Sequence, residues 1–175
     1  MPEGKVRKIE SNNTILWEST IAYEASNLVF NGTSDCINTG IYLFTSENIN
    51  KDFELTVNYL SDGQMGTQGT IVCSKAEQTN YPGFVLRQQN NSTNFEISGS
   101  KTVQRPYIDC INKDIIVRRV SNVYTIQFTE NDIETIPVRD IVHSVPVALG
   151  VVIKPDGTKM RYGKMTINHI KLEWK

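Results

Sequence analysis

The run Phe53-Glu-Leu-Thr-Val-Asn-Tyr59 alternates strictly, with Phe53, Leu55, Val57 and Tyr59 on one side and Glu54, Thr56 and Asn58 on the other. Successive side chains of a strand point to opposite faces, so this pattern predicts a strand with one face in a core and the other in water. Working outward, similar segments lie at 69–74, 83–89, 94–98, 115–120, 123–128, 147–153 and 166–174. Turn clusters separate them: Ser61-Asp-Gly63, Asn90-Asn-Ser-Thr93, Ser121-Asn122, Glu130-Asn-Asp132 and Pro155-Asp-Gly157. No window of helical length carries an apolar stripe; the one helix expected is a single turn at 45–50, capped by Thr45 or Ser46. Many short amphipathic strands without helices predict an all-β sandwich or barrel, because two half-apolar sheets bury those faces only against each other.

A chain of 175 residues, 39% hydrophobic and 21% charged, suits one domain with a sizeable core. Its 18 basic and 19 acidic residues leave a net charge of -1. That balance gives no global field to hold a phosphate backbone or an anionic bilayer, so neither nucleic acid nor membrane is an expected partner. The longest apolar run, Val145 to Ile153, contains Pro146 and Gly150 and is far short of a membrane span. The first ten residues carry charge without an apolar stretch behind it, so no secretory signal is expected. Cys36, Cys73 and Cys110 are far apart and match no metal-ligand spacing, which predicts three free thiols. The asparagines of the sequons at 12, 31, 90 and 91 are then read as turn residues. Composition shifts once, near residue 22: Lys5, Arg7 and Lys8, the polar Ser11-Asn-Asn-Thr14 and the isolated Ile15-Leu16-Trp17 read as a connector or docking arm before a sandwich domain over 23–175.

Leu28-Val-Phe-Asn-Gly-Thr-Ser-Asp-Cys-Ile-Asn-Thr-Gly40, followed by Leu43-Phe44 and the alternating strand from Phe53, resembles the opening of the concanavalin A-like, laminin G-type jelly roll. Gly83-Phe-Val-Leu-Arg87, Asn94-Phe-Glu-Ile97, Ile116-Val-Arg-Arg119 and the segment Gly163 to Leu172 extend the likeness over 22–175. The resemblance implies a jelly-roll β-sandwich of two antiparallel sheets. Core candidates are Phe30, Ile37, Phe53, Leu55, Val57, Phe84, Leu86, Phe95, Ile97, Ile126, Phe128, Val151, Ile170 and Leu172. Members of that fold bind sugars, hydrolyse glucans or serve as adhesive modules, so the fold does not choose a function. Residues 6–18 are also similar to connecting segments of virion proteins from bacteriophages of Gram-positive bacteria.

Glu130-Asn-Asp-Ile-Glu134 has the spacing of the laminarinase-type glucanases of this fold, and two carboxyls on one strand face could serve a retaining glycosidase. Asn131-Asp132, however, reads as a hairpin turn that separates Glu130 from Glu134. A hydrolase using that pair is therefore the third reading and no enzyme is expected. His143 and His169 supply no zinc motif, and no nucleophile elbow or phosphate loop occurs. Calcium remains an alternative at Asp35, Asp62 and Asp156, each explained equally well as a turn residue, and no cofactor is expected.

Sugar recognition needs an aromatic plane for the C–H face of the ring and planar polar groups for its hydroxyls. Asn80 and Tyr81 lie on a loop entering a strand whose alternation turns Phe84, Leu86 and Gln88 inward and Val85, Arg87 and Gln89 outward. Asn80, Tyr81, Arg87, Gln89, Tyr107 and Arg161 are the expected ligand-binding residues. The first expectation is a non-catalytic module that binds a bacterial surface glycan from a virion surface, joined to other virion proteins through its arm and open to homo-oligomerisation. The alternatives are a purely architectural virion role and a bacterial-surface or extracellular location.

Overall fold

The computed structural model describes residues 6–11, 14–61, 69–76, 82–97, 101–137 and 140–175, and over 6–19 it describes the backbone alone. In chain order the elements are β1 (Val6–Ser11), β2 (Thr14–Asn31), β3 (Ile37–Asn38), β4 (Phe53–Leu60), β5 (Gly69–Lys75), β6 (Gly83–Gln89), β7 (Ser92–Ile97), β8 (Lys101–Pro106) and α1 (Tyr107–Cys110). Then come β9 (Asp114–Val120), β10 (Val123–Thr129), β11 (Asp132–Pro137), β12 (Ala148–Leu149), β13 (Val152–Ile153), β14 (Lys159–Met160) and β15 (Lys164–Trp174). They form the expected sandwich of two antiparallel sheets, seven strands in the order β1-β2-β15-β4-β9-β10-β11 and six in the order β3-β12-β5-β6-β7-β8. A two-stranded ribbon, β13-β14, stands beside them.

Alternation drives this arrangement. Phe53, Leu55, Val57 and Tyr59 are buried, whereas Glu54, Thr56 and Asn58 are half-exposed. From the facing sheet, Phe84, Leu86, Phe95 and Ile97 meet them, and Phe53 and Phe84 stack with ring centroids 6.1 Å apart. Thirteen of the expected core positions are buried; Ile37 is half-buried and packs against the core.

The opening turn is built by its own side chains. Asn31 Oδ1 accepts from the backbone N–H groups of Thr33, Ser34 and Asp35, while Asp35 Oδ2 accepts from the N–H of Asn31. Asp156 likewise accepts from the N–H of Thr158 at 2.8 Å. Both aspartates are thus engaged in turns; Asp62 lies outside the described residues. Among the described residues no three His, Cys, Asp or Glu side chains converge on one point.

Three expectations change. The segment 45–50 forms hydrogen-bonded turns, with Ile49 N–H donating to Thr45 at 2.8 Å, and the short helix is instead α1 at 107–110. The strand expected at 147–153 is split by Gly150, at φ 73°, into β12 and β13, which join different sheets. A Cβ at Gly150 would sit 2.4 Å from Phe30 Cδ1, so the core closes there only around glycine. The strand expected from Asn94 starts two residues earlier, at Ser92. Strand β2 runs from Thr14 to Asn31: its ladder to β15 begins at Thr20, and its preceding residues pair with β1.

Candidate functional site

Strands β5, β6, β7 and β8 pair in sequence, and their registers fix which side chains share the outer face of the six-stranded sheet. Val85 lies opposite Cys73 and Glu96, Arg87 opposite Thr70 and Asn94, and Gln89 opposite Ser92. Thr102 and Gln104 continue the rows onto β8. At one side the β13-β14 ribbon lays Val152 and Met160 on Cys73 and Val85, making an apolar wall. Toward β8 the face is open, with Thr102 and Gln104 exposed.

A charged basin lies between. Lys75 and Arg87 converge on Glu96, Arg87 Nη2 at 2.9 Å and Lys75 closer still. Lys75 is 4% exposed in its side chain, Arg87 13% and Glu96 14%. Among the described residues these two cations share one carboxylate, and burial strengthens the charge they present. Around them Asn94 Nδ2 donates to Gln89 Oε1 at 3.3 Å and Gln104 Nε2 to Ser92 Oγ at 2.6 Å. Arg87 Nε, Asn94 Oδ1 and Thr70 Oγ1 are buried with no partner among the described residues. Each such atom costs on the order of 1–3 kcal/mol, so the basin holds more hydrogen-bonding capacity than its own side chains use.

Of the expected ligand residues, Arg87 and Gln89 share this face. Asn80 and Tyr81 lie outside the described residues. Arg161, at φ 58°, brings its backbone to the basin, its carbonyl accepting from the N–H of Thr70 at 3.2 Å. Tyr107 is not part of it: it opens α1 beside the tip of the β6-β7 hairpin, its N–H donating to Asn91 O at 2.9 Å. Lys75, Glu96 and Asn94 were missed. A two-residue turn at Asn90-Asn91 would have supplied Glu96 and Asn94, since it sets 96 opposite 85 and 94 opposite 87, whereas Lys75 enters through the pairing of β5 with β6.

The glucanase-like spacing serves a different end. Glu130 is exposed in the β10-β11 turn, and Asp132 and Glu134 both pair with Arg105 of β8, at 2.6 and 3.0 Å. That guanidinium lies 5.4 Å from the Phe128 ring centroid and holds the Asp132 carboxyl below its ordinary range. The carboxylates therefore clamp the edges of the two sheets together.

No family model and no curated protein matches the chain in sequence. Among solved structures, the CBM40 of the Ruminococcus gnavus IT-sialidase bound to alpha2,6 sialyllactose is similar at TM-score 0.61 and 10% identity, over 87% of this chain and 92% of that one. The NanB sialidase of Streptococcus pneumoniae, as its K499G mutant, is similar at TM-score 0.60 and 14% identity, over 87% of this chain. This chain spans about a quarter of that sialidase's length, 26%. At these identities the likeness establishes the sandwich fold.

Proposed function

We propose that this chain is a non-catalytic glycan-binding module whose ligand seats on the outer face of the six-stranded sheet, over Arg87, Gln89, Asn94, Glu96 and Gln104. The observation that carries the reading is the convergence of Lys75 and Arg87 on one Glu96 carboxylate, beside unpaired polar atoms, on a face that opens toward β8. The shielded Arg87 guanidinium, whose Nε has no partner among the described residues, favours a ligand that brings a negative charge, so the sugar is acidic. Its carboxylate is drawn to Arg87, and the amides of Gln89, Asn94 and Gln104 serve its hydroxyls. The likeness to a module solved with sialyllactose, a sugar bearing a carboxylate, supports this choice. Tyr81 and Asn80 belong to the same proposal, because their loop leads into Pro82, whose carbonyl accepts from the N–H of Ala76 just after Lys75.

Titration with alpha2,6 sialyllactose tests the reading. Wild type should bind, Arg87→Ala should lose about tenfold or more, and Glu134→Gln should bind as wild type with no sugar hydrolysed. Binding indifferent to Arg87→Ala would overturn the assignment.

The likeness of residues 6–18 to phage connecting segments supports a place on a virion surface, facing a bacterial surface glycan, with residues 1–22 as the attachment. Deleting residues 1–11 should then abolish attachment and leave a folded sandwich. Loss of cooperative thermal unfolding would show that β1 is integral to the sheet instead.

A further inference from the structure

The outer face of the seven-stranded sheet, on the other side of the sandwich, carries a groove of about 770 Å³ whose lining includes Asn58, Asn112, Asp114, Ile116, Gln127 and Glu130. A bulge builds its head. The register of β15 against β4 slips between Ile167 and His169, making Asn168 the extra residue. Bulges re-aim side chains, and this one turns Asn168 Nδ2 onto Asn58 Oδ1 at 2.9 Å and Asn112 Oδ1 at 3.1 Å. Asn58 Nδ2 donates onward to Asp114 Oδ1 at 3.0 Å. On the far side Gln127 Oε1 accepts from Arg118 Nη1 at 3.2 Å.

These bonds hold the amides in place while leaving the other half of each group available. Asn112 Nδ2, Gln127 Nε2, Asp114 Oδ2 and the Glu130 carboxylate have no protein partner among the described residues. Donors and acceptors thus line one groove with the half-buried Ile116, and Asp114 and Glu130 outweigh Lys113 in charge. Such a set fits vicinal hydroxyls: a carboxylate oxygen accepts from them, an amide nitrogen donates to them, and an aliphatic side chain meets the C–H face.

We infer that this groove is a second saccharide site, selective for a neutral, hydroxyl-rich glycan chain. With the charged basin on the opposite face, the module can then bridge two glycan chains of different charge. The test titrates the full chain with maltohexaose, laminarihexaose and chitohexaose, and separately with alpha2,6 sialyllactose. Wild type should bind at least one neutral probe. The pair Gln127→Ala with Glu130→Ala, both at surface positions, should weaken that binding about tenfold or more. Sialyllactose affinity and thermal unfolding should not change in that pair, and Arg87→Ala should leave the neutral probe bound. No neutral binding by wild type at ~10 mM, ample for millimolar affinities, would overturn the inference, as would neutral binding that survives the pair. Because sialyllactose is read separately, failure of this groove is distinguishable from failure of the basin.

Discussion

His143 carries an imidazole into the interior, its ring 4.8 Å from that of Phe44. Its Nδ1 accepts from the N–H of Val145 at 3.2 Å, and Nε2 is buried with no partner among the described residues. Burial lowers its pKa from 6.5 to about 4, so the folded protein keeps the ring neutral where the unfolded chain protonates it. Stability from this group is therefore full above pH 6.5 and declines as pH falls toward 4, by about 3 kcal/mol in all. Urea unfolding across that window should show a shallower pH dependence in His143→Gln; an unchanged slope would mean that other groups carry it. Arg119 presents the opposite case, a buried cation that is fully engaged. It donates to Asp140 at 2.6 Å, to the carbonyls of Ile49 and Lys51 and to Asn122 Oδ1, while Tyr124 donates to the same Asp140 at 2.9 Å. Asp140→Ala would leave the guanidinium only the more distant Asp52 carboxylate, at 3.7 Å, and would unpair the Tyr124 hydroxyl, so a loss on the order of 2–3 kcal/mol is expected in chemical denaturation. Residue outcomes were unevenly legible. Alternation alone turns Arg87 outward, but Lys75 lay one position past the expected strand end and Glu96 reads by itself as a solvated surface charge. Their convergence is a property of three paired strands, which local periodicity does not encode.

At the scale of elements, β6 enters the sheet through Gly83, at φ 92°, where a Cβ would lie 1.9 Å from Ser74 O. Gly83→Ala should cost about 2 kcal/mol or more, because the strained φ and the backbone clash add. A melting temperature equal to wild type would contradict this close approach of β5 and β6. Strands with clean alternation, such as β4, β6 and β10, were legible to within about a residue because one buried face suffices to define them. β2 was not, since Asn27 adopts φ 57° and breaks the period between Ala25 and Leu28. The same interruption marks β15, where the inward series Met165 and Ile167 resumes at Ile170 instead of 169. That irregularity was visible in the sequence, but only the paired strands show that it delivers Asn168 to the neighbouring amides. The split of 147–153 was hidden for another reason: a continuous apolar run gives no sign of where it changes sheets, and Gly150 does so because Phe30 leaves no room for a side chain.

The whole molecule presents two outer faces with different chemistry. On the seven-stranded sheet, Glu54 pairs with Arg118 and Lys175, and Glu173 with Lys171 and Lys175, a network whose Arg118 and Lys175 side chains are 39% and 31% exposed. On the six-stranded sheet the cations are more deeply shielded from water, Lys75 4% and Arg87 13% exposed in their side chains, which gives an acidic ligand more to gain there. A salt titration should follow: affinity for alpha2,6 sialyllactose is expected to weaken as ionic strength rises, whereas neutral-probe binding at the opposite groove should not. The direct test of the central claim is a backbone amide NMR titration with alpha2,6 sialyllactose. Shift changes concentrated at residues 70–75, 85–89, 92–96 and 102–104 are the result this account predicts. Changes confined to β4, β9 and β10, or none at saturating ligand, would contradict it.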